Sequence, residues 1–236
     1  MNVRRIARFA WAVTVALGAV ALGANAPSAF AQPCPDVQVV FARGTGEPPG
    51  VGGIGQTFVD AVRAQSGGRS VDVHAVDYPA SSDFADQLAF AGTVVDGIRD
   101  AGAHVQSMAA DCPATRMVIG GYSQGAVVAG FVTSAEVPAG VPAAYGSYIP
   151  KPMPPAVADH VAAVALFGKP SDVFLRDYGA PPIVIGPAYA GKTIELCAPG
   201  DTICDGTVGG GPTIAHALYS MNGMVDQAAT FTAGRL

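Results

Sequence analysis

Apolar, β-branched residues are concentrated in five short runs along the chain, separated by longer segments of a different pattern. Runs of this length and composition are typical of strands that are buried on both faces of a sheet. The five predicted strands cover residues 37–42, 70–76, 115–122, 160–167 and 192–197.

Segments with the helical spacing of apolar residues lie between and after these runs. Strands that alternate with helices form crossover units, which produce a parallel sheet covered by helices on both faces. We therefore predict one three-layer α/β domain with a five-stranded parallel sheet. Ligands bind such sheets beyond the carboxyl ends of the strands, so loops that leave strands are the candidates for chemistry. The predicted helical segments are 54–65, 84–110, 124–135 and 213–231.

A proline-rich segment, residues 134–157, runs from a predicted helix into the fourth predicted strand. A segment that enters a strand lies at the amino edge of the sheet. We therefore expect this segment at the edge opposite the chemistry, with a role in packing or in binding a partner rather than in catalysis.

The first 31 residues have the order of a secretory signal peptide: an arginine-containing start, an uncharged apolar stretch, and small residues at Ala29 and Ala31. We predict cleavage after Ala31, secretion, and a folded domain over 32–236. A membrane anchor is the alternative, but the apolar stretch is short for a bilayer and rich in alanine. The Arg4-Arg5 pair leaves open which export route is used.

The charge balance restricts the partners of the mature chain. The whole chain has 13 basic and 18 acidic residues, and the signal segment contains three arginines and no acid. The remainder therefore has 10 basic against 18 acidic residues, a net charge of −8. An acidic surface without basic clusters argues against nucleic acid and anionic lipid as electrostatic partners.

Four cysteines lie beyond the signal segment: Cys34, Cys112, Cys197 and Cys204. An even number in an exported chain indicates disulfide bonds, although sequence alone does not choose among the three possible pairings. Cys197 and Cys204 are close enough to form a small ring, which would leave Cys34 with Cys112. A zinc site is the competing interpretation, but no histidines with ligand spacing accompany these cysteines.

One serine stands where a strand pattern meets a helical pattern. The segment GYSQG, residues 121–125, fits the nucleophile elbow G-x-S-x-G and lies between RMVIGGY and GAVVAGFV. The elbow places its serine at the carboxyl edge of the sheet, and the flanking glycines prevent collisions between crossing backbones. The pentapeptide alone is a weak signal in a glycine-rich chain, whereas its position between strand and helix favours Ser123 as a nucleophile.

A nucleophilic serine needs a base and an acid that orients the base. The chain order serine, acid, histidine is typical of α/β-hydrolases and leaves His216, since His160 begins a strand at the wrong edge. Asp201 and Asp205 both precede His216. We prefer Asp201 because it lies inside the small cysteine ring, which would hold the acid rigidly.

An oxyanion hole requires two hydrogen-bond donors. The backbone N–H of Gln124, which follows the nucleophile, is the first candidate. The second is expected in the loop that leaves the first strand at the same edge, among residues 43–46.

Motifs spread along the chain resemble those of the cutinases, most closely the mycobacterial cutinase-like proteins. The resemblance runs from about Cys34 to the C terminus, with the motifs in the family's order. The motifs are VVFARGTGE, DYPAS, GGYSQGA, ALFGKP and ELCAPGDTICDG, followed by the AH pair that contains His216.

This resemblance implies a five-stranded α/β-hydrolase that usually lacks a lid and cleaves esters of lipids or polyesters. By position, Ser123 matches the nucleophile, Asp201 the acid and His216 the base. Thr45 matches the residue that serves the oxyanion alongside Gln124. The cysteines match the pairs Cys34–Cys112 and Cys197–Cys204.

From these matches we expect a serine carboxylesterase that works as a monomer without metal or cofactor, with transient contact to a lipid interface. Apolar loops over 171–188 and 206–215 are the candidates for the acyl-binding wall. The proline-rich segment and the apolar stretch after the fourth strand depart from the family pattern, so a preference for short acyl chains is not implied.

Other functions remain open from sequence. The same site would serve a phospholipase A or an acyltransferase. A cell-wall or surface binding protein with a vestigial site is a further alternative. The run GVGGIG, residues 50–55, matches the dinucleotide fingerprint G-x-G-x-x-G, but it begins too far after the first strand to cradle a pyrophosphate.

Overall fold

The structure is a computed structural model that describes residues 33–139, 141 and 146–236. The predicted signal segment, residues 1–31, lies outside the described residues. The predicted five-stranded sheet is confirmed. Its strands are parallel and lie in the order β2-β1-β3-β4-β5. They are β1 (Val37–Ala42), β2 (Val71–Ala75), β3 (Arg116–Tyr122), β4 (Val161–Phe167) and β5 (Thr193–Leu196).

Helices cover both faces of this sheet, which gives the predicted three layers. A short 3₁₀ helix, Pro155–His160, leads into β4. The α-helices are α1 (Gly52–Gln65), α2 (Gln87–Asp111), α3 (Gln124–Val132), α4 (Asp172–Asp177), α5 (Pro187–Ala190), α6 (Ile214–Ala217) and α7 (Met224–Ala233).

The alternation of side chains along the strands divides the hydrophobic core in two. Val40 and Ile119 point toward α2 and α3. Phe41 and Val118, one residue away along the same strands, point toward α1 and α7. Because both faces are buried, these strands are apolar throughout rather than alternating, which is why they stand out in the sequence.

The predicted helix over 213–231 is wrong as a single element. The structure ends α6 at Ala217 and begins α7 at Met224. Gly223 has a φ of 82°, a left-handed conformation that interrupts a helix, and the side chain of Asn222 accepts a hydrogen bond from the Met224 N–H. The break separates the short helix that contains His216 from the packing helix α7.

The glycine-rich run 50–55 packs the start of α1 against β1. A side chain at Gly55 would overlap the ring of Phe41, and the N–H of Gly53 donates to the carboxylate of Glu47 at 2.8 Å. These contacts explain the glycines of this run by packing, so their match to the dinucleotide fingerprint does not require a bound dinucleotide.

Both disulfide bonds that the resemblance implies are present. Cys34 is bonded to Cys112 and joins the chain ahead of β1 to the end of α2, across 78 residues of sequence. Cys197 is bonded to Cys204 and closes a short ring just after β5. In the chain-entropy description the long loop stabilises the fold by roughly 4–5 kcal/mol and the short one by roughly 2–3 kcal/mol.

None of the helices in the described part of the chain has both the length and the apolar character that a membrane crossing needs.

A pair of stacked histidines joins the edge strand β2 to α2. The rings of His74 and His104 lie 3.8 Å apart, and His74 Nε2 lies 2.7 Å from a carboxylate oxygen of Asp100. Nε2 of His104 is buried and has no hydrogen-bond partner among the residues that the structure describes. Burial, and then the neighbouring His74, lower the pKa of His104, while Asp100 and Asp72 act in the opposite direction.

This pair should make the fold sensitive to acid. Because the pKa of His104 is lower in the folded chain, the unfolded chain takes up the proton at higher pH, and stability falls as the pH drops below about 6.5. We predict that His104→Phe, which keeps an aromatic stack but cannot be protonated, loses less stability than the wild type between pH 7.5 and 5. Urea unfolding midpoints followed by circular dichroism measure this.

His160→Gln is the matched control for that experiment. His160 lies outside the pair, at the amino end of β4, where its ring contacts the Pro113 carbonyl. This variant should keep the wild-type dependence of stability on pH. An equally steep loss in His104→Phe would show that the stacked pair has no such role.

Candidate active site

Ser123 occupies a sharp turn between β3 and α3. Its φ of 54° and ψ of −117° are rarely adopted by a residue with a side chain. A side chain at Gly125 would overlap the backbone carbonyl of Ala42, and one at Gly121 would overlap the backbone of Gly125. The two glycines are therefore required by close backbone approach, as expected for an elbow that lifts a serine to the edge of the sheet.

The structure brings Ser123, His216 and Asp201 into one hydrogen-bonded chain. Ser123 Oγ lies 2.8 Å from His216 Nε2, and His216 Nδ1 lies 2.8 Å from Asp201 Oδ2. With the proton on Nδ1, the imidazole donates to the carboxylate and accepts from the serine hydroxyl. This arrangement can take the hydroxyl proton of Ser123 as the oxygen attacks a carbonyl carbon.

Asp201 is completely buried and is held by three donors. Besides His216, the Tyr219 hydroxyl donates to Oδ2 at 2.6 Å, and the Ile203 N–H donates to Oδ1 at 3.1 Å. Burial raises the pKa of Asp201, but these hydrogen bonds outweigh it and hold the pKa below its usual value. The acid therefore stays ionised in a site without water contact.

Asp205, the alternative acid, does not reach His216. Its side chain is exposed and accepts a hydrogen bond from the Thr207 N–H at 2.9 Å. The Cys197–Cys204 ring encloses Asp201 and leaves Asp205 just outside, as expected from the positions of the cysteines.

Two tyrosines that sequence reasoning missed hold the acid and the base. Tyr219 is fully buried, and its hydroxyl accepts from the Ala198 N–H at 3.0 Å while it donates to Asp201. Tyr122 donates to the backbone carbonyl of His216 at 2.8 Å. Burial raises the pKa of both hydroxyls, so they remain neutral donors. The signal that the sequence offered was position: Tyr122 directly precedes Ser123, and Tyr219 lies three residues after His216.

Gly168 leaves room for this constellation. It follows β4 with a φ of 55°, and a side chain there would lie 3.0 Å from His216 Cε1 and 3.2 Å from Asp201 Oδ2. The site therefore requires a glycine at this position of the ALFGKP motif, because a larger residue would crowd the His216 imidazole.

The loop expected to supply the second oxyanion donor is rigidly supported. Arg43 is buried and donates to the carbonyls of Glu47, at 2.8 Å, and Tyr78, while the Tyr78 hydroxyl donates back to the Arg43 carbonyl. The Glu47 carboxylate accepts from the Gly44 N–H at 2.6 Å. This network, also missed from sequence, fixes the turn that contains Thr45.

Thr45 and Gln124 line the same cavity as Ser123 and His216. The N–H of Gln124 is at the first position of α3, where no preceding turn supplies an acceptor. The Gln124 side chain is buried. Its Nε2 donates to the Ser81 carbonyl at 3.3 Å, and its Oε1 has no hydrogen-bond partner in the described part of the chain. The two expected oxyanion residues thus line the cavity of the serine from different elements, Thr45 from the loop after β1 and Gln124 from the start of α3.

That cavity is a long groove of about 1850 Å³, larger than the 300–1,000 Å³ typical of small-molecule sites. Phe174, Leu175 and Tyr178, from the first loop predicted as an acyl-binding wall, line the groove, and acyl binding there stays a prediction. Most of the second candidate loop, residues 206–215, does not line the groove. Val208 and Ile214 are exposed to solvent, whereas Pro212 reaches the groove. The largest wall, α2, was not predicted.

The expectation for the proline-rich segment is corrected. Its end lies at the amino edge, where the 3₁₀ helix enters β4, as expected. However, Val137, Tyr148 and Met153 line the groove that also contains Ser123. Tyr148 of this segment lies beside α2, where its carbonyl accepts a hydrogen bond from Arg99, a tertiary contact that the positions of the two ends of the loop do not reveal.

Within the described residues, one cluster of potential metal ligands is found: Cys197, Asp201 and Cys204. The two sulfurs are bonded to each other, and the carboxylate already has three donors. The zinc interpretation of these cysteines therefore has no thiolate ligands to rest on.

The Cutinase family model matches residues 33–236, nearly all of the chain beyond the predicted signal segment. The chain belongs to the cutinase family.

Similar proteins agree with this membership. "Probable carboxylesterase Culp7" of Mycobacterium tuberculosis is 60% identical over 73% of this chain and 89% of its own length. "Phospholipase Culp4" of the same species is 45% identical over 99% of this chain and 92% of its own length. A Trichoderma reesei cutinase in complex with a phosphonate inhibitor is 32% identical, with a TM-score of 0.61, covering 86% of this chain and 77% of that one.

Membership in the cutinase family, together with relatives named carboxylesterases, makes this chain a serine ester hydrolase. Its two disulfide bonds and its five-stranded parallel sheet agree with the same conclusion.

We predict that Tyr219→Phe lowers both kcat and the free energy of unfolding of this cutinase-family enzyme, without a change in fold. The variant leaves the buried Ala198 N–H unpaired and removes one donor from Asp201, at a cost of about 1–3 kcal/mol in the free energy of unfolding. The pKa of Asp201 should rise, so that kcat falls with little change in KM. Urea unfolding and kinetics with p-nitrophenyl butyrate measure both effects.

Tyr189→Phe is the matched control. The Tyr189 side chain is also buried, but its hydroxyl has no hydrogen-bond partner among the described residues. This variant should keep wild-type stability and kcat. If the two phenylalanine variants behaved alike, the Tyr219 hydroxyl would have no positioning role.

Proposed function

We propose that this protein is a secreted carboxylesterase that hydrolyses lipid esters through Ser123, His216 and Asp201. The observation that carries this proposal is the unbroken hydrogen-bonded chain from Ser123 Oγ through the His216 ring to a buried carboxylate. The elbow, the supported loop around Thr45 and the family membership support the same reaction.

The reaction has two balanced halves. His216 accepts the Ser123 proton as Oγ bonds to the ester carbonyl, and the negative oxygen binds the N–H groups of Thr45 and Gln124. The carbon–oxygen bond to the alcohol then breaks, and His216 protonates the leaving oxygen. In the second half His216 takes a proton from water, which attacks the acyl-enzyme, and returns that proton to Ser123 as the carboxylic acid leaves.

Lipid esters are favoured as substrates because of the apolar groove that adjoins the serine. Two exposed apolar side chains at the same edge, Val208 in a loop and Ile214 at the start of α6, support transient contact with a lipid interface. The relative named a phospholipase makes phospholipid esters a further candidate for the same site. Secretion is supported by the two disulfide bonds, which persist in oxidising compartments.

We predict that Ser123→Ala abolishes hydrolysis of p-nitrophenyl esters and of phosphatidylcholine while the protein stays folded by circular dichroism. In the wild type a fluorophosphonate probe should add to Ser123, as located by peptide mass spectrometry. A binding protein with a vestigial site would leave Ser123 unlabelled. Retained turnover in Ser123→Ala would reject this serine as the nucleophile.

We predict that Asp201→Asn lowers kcat by about 10³–10⁴-fold, because an amide cannot hold the imidazole in the tautomer that accepts the serine proton. Asp205→Asn is the matched control in the same loop and should retain wild-type kcat. Steady-state kinetics with p-nitrophenyl butyrate separate the two. A large loss in Asp205→Asn alone would transfer the role of acid to that residue.

A further inference from the structure

One face of α2 runs along the whole groove. Helix α2 contributes lining residues from Gln87 to Gln106, and six of them are spaced alternately by four and three positions, which places these six on one helical stripe. The first and last members of the stripe are 18 positions apart, so it is about 27 Å long at 1.5 Å per residue. Its members are Leu88, Gly92, Val95, Arg99, Gly102 and Gln106.

The wall of the groove opposite α2 is apolar along both its part near Ser123 and its distal part. Side chains of α3 and α4 face the first part of the stripe, and those of the proline-rich segment face the distal part. They include Val127, Phe131, Phe174 and Leu175 near the serine, and Val137 and Met153 at the distal end.

Residues 146–154, here called the strap, are fastened to α2 by one polar cluster. Arg99 donates to the Tyr148 carbonyl at 2.9 Å, and its guanidinium lies over the Tyr148 ring, 4.9 Å from its centre. Asp96 forms an ion pair with Arg99 at 2.9 Å and accepts a long hydrogen bond from the Tyr148 hydroxyl at 3.4 Å. These contacts keep the strap beside the groove.

The chemistry of the triad decides which part of an ester enters this groove. The leaving oxygen must lie within hydrogen-bond reach of His216 Nε2, so the alcohol lies on the His216 side of the serine. The acyl chain then points away from His216, along α2 and α3. Apart from the backbone of α2 itself, the described residues place no atom within 4 Å of the point where a side chain would start at Gly92 or Gly102, two glycines on the stripe, so this part of the chain leaves room for an acyl chain beside the helix.

We infer that this groove binds a long acyl chain, and that the strap forms its distal wall. This inference rests on the proposed esterase function. An extended chain advances by roughly 1.25 Å per carbon, from C–C bonds of about 1.5 Å at tetrahedral angles, so a stripe of about 27 Å takes an acyl chain of up to about 21 carbons.

Substitutions at the two open glycines test the length of the occupied groove. Gly102 lies 14 residues beyond Leu88, about 21 Å along the helix, and Gly92 lies about 6 Å along it. Gly102→Leu should lower the ratio of kcat/KM for p-nitrophenyl stearate to that for butyrate by roughly tenfold, the effect of losing burial of about two methylenes. Gly92→Leu should lower kcat/KM relative to butyrate for all p-nitrophenyl esters with acyl chains of octanoate length or longer.

Two control variants separate groove filling from effects on the helix. Gly102→Ala gains helix propensity but fills little space, so its stearate-to-butyrate ratio should change less than that of Gly102→Leu. Ala110→Leu lies on α2 beyond the groove and should leave all rates unchanged. Equal stearate-to-butyrate ratios of kcat/KM in Gly92→Leu, Gly102→Leu and the wild type would overturn the inference. If these variants still hydrolysed butyrate, the proposed esterase function would stand even though the inference had failed.

The strap and the direction of the substrate have their own tests. Arg99→Ala should raise KM for stearate more than for butyrate, because the distal wall is released. A series of acetate esters of C4 to C18 alcohols distinguishes the two ends of the substrate. If the penalty of Gly102→Leu followed the alcohol length instead of the acyl length, the groove would bind the alcohol and the inference would be wrong.

Discussion

A carboxylate removed from water must receive its stabilisation from protein groups, and this constraint organises the site around Asp201. Its partners come from three separate places: the imidazole of α6, the hydroxyl of Tyr219 and a backbone N–H in its own loop. Each of these must be held still for the charge to stay compensated. The small disulfide ring, the Tyr122 contact to the His216 backbone and the glycine at 168 all serve that requirement.

Those features that depend on local pattern were predictable from sequence. Strands β1, β3 and β4 are mostly apolar because both of their faces are covered, and Ser123 is marked by the glycines that its sharp turn needs. His216 and Asp201 follow from chain order and sheet edge. Tyr219, Arg43 and Glu47 escaped prediction because their partners are brought near only by the tertiary fold. The break at Gly223 escaped because the apolar spacing continues across it.

The groove shows a similar division between local and tertiary information. The stripe on α2 has ordinary helical periodicity, and nothing in that pattern says that one face is left uncovered by the core. The proline-rich segment has no periodicity to interpret, and its position depends on the contact between Arg99 and Tyr148. Segments without sequence periodicity therefore supply part of the surface beside the serine as well as Asp201, while the regular elements position Ser123 and contain His216 and the α2 wall.

The ring formed by Cys197 and Cys204 has a consequence for when the site becomes complete. Ser123 and His216 are positioned by the elbow and by backbone contacts, but the loop that contains the acid is closed covalently. In a chain whose thiols are still reduced, that loop lacks its closure, and the carboxylate has more freedom to leave the imidazole. The proposed function thereby links oxidation of Cys197 and Cys204 to catalytic competence, because the acid loop of a newly made chain is closed only once this bond has formed.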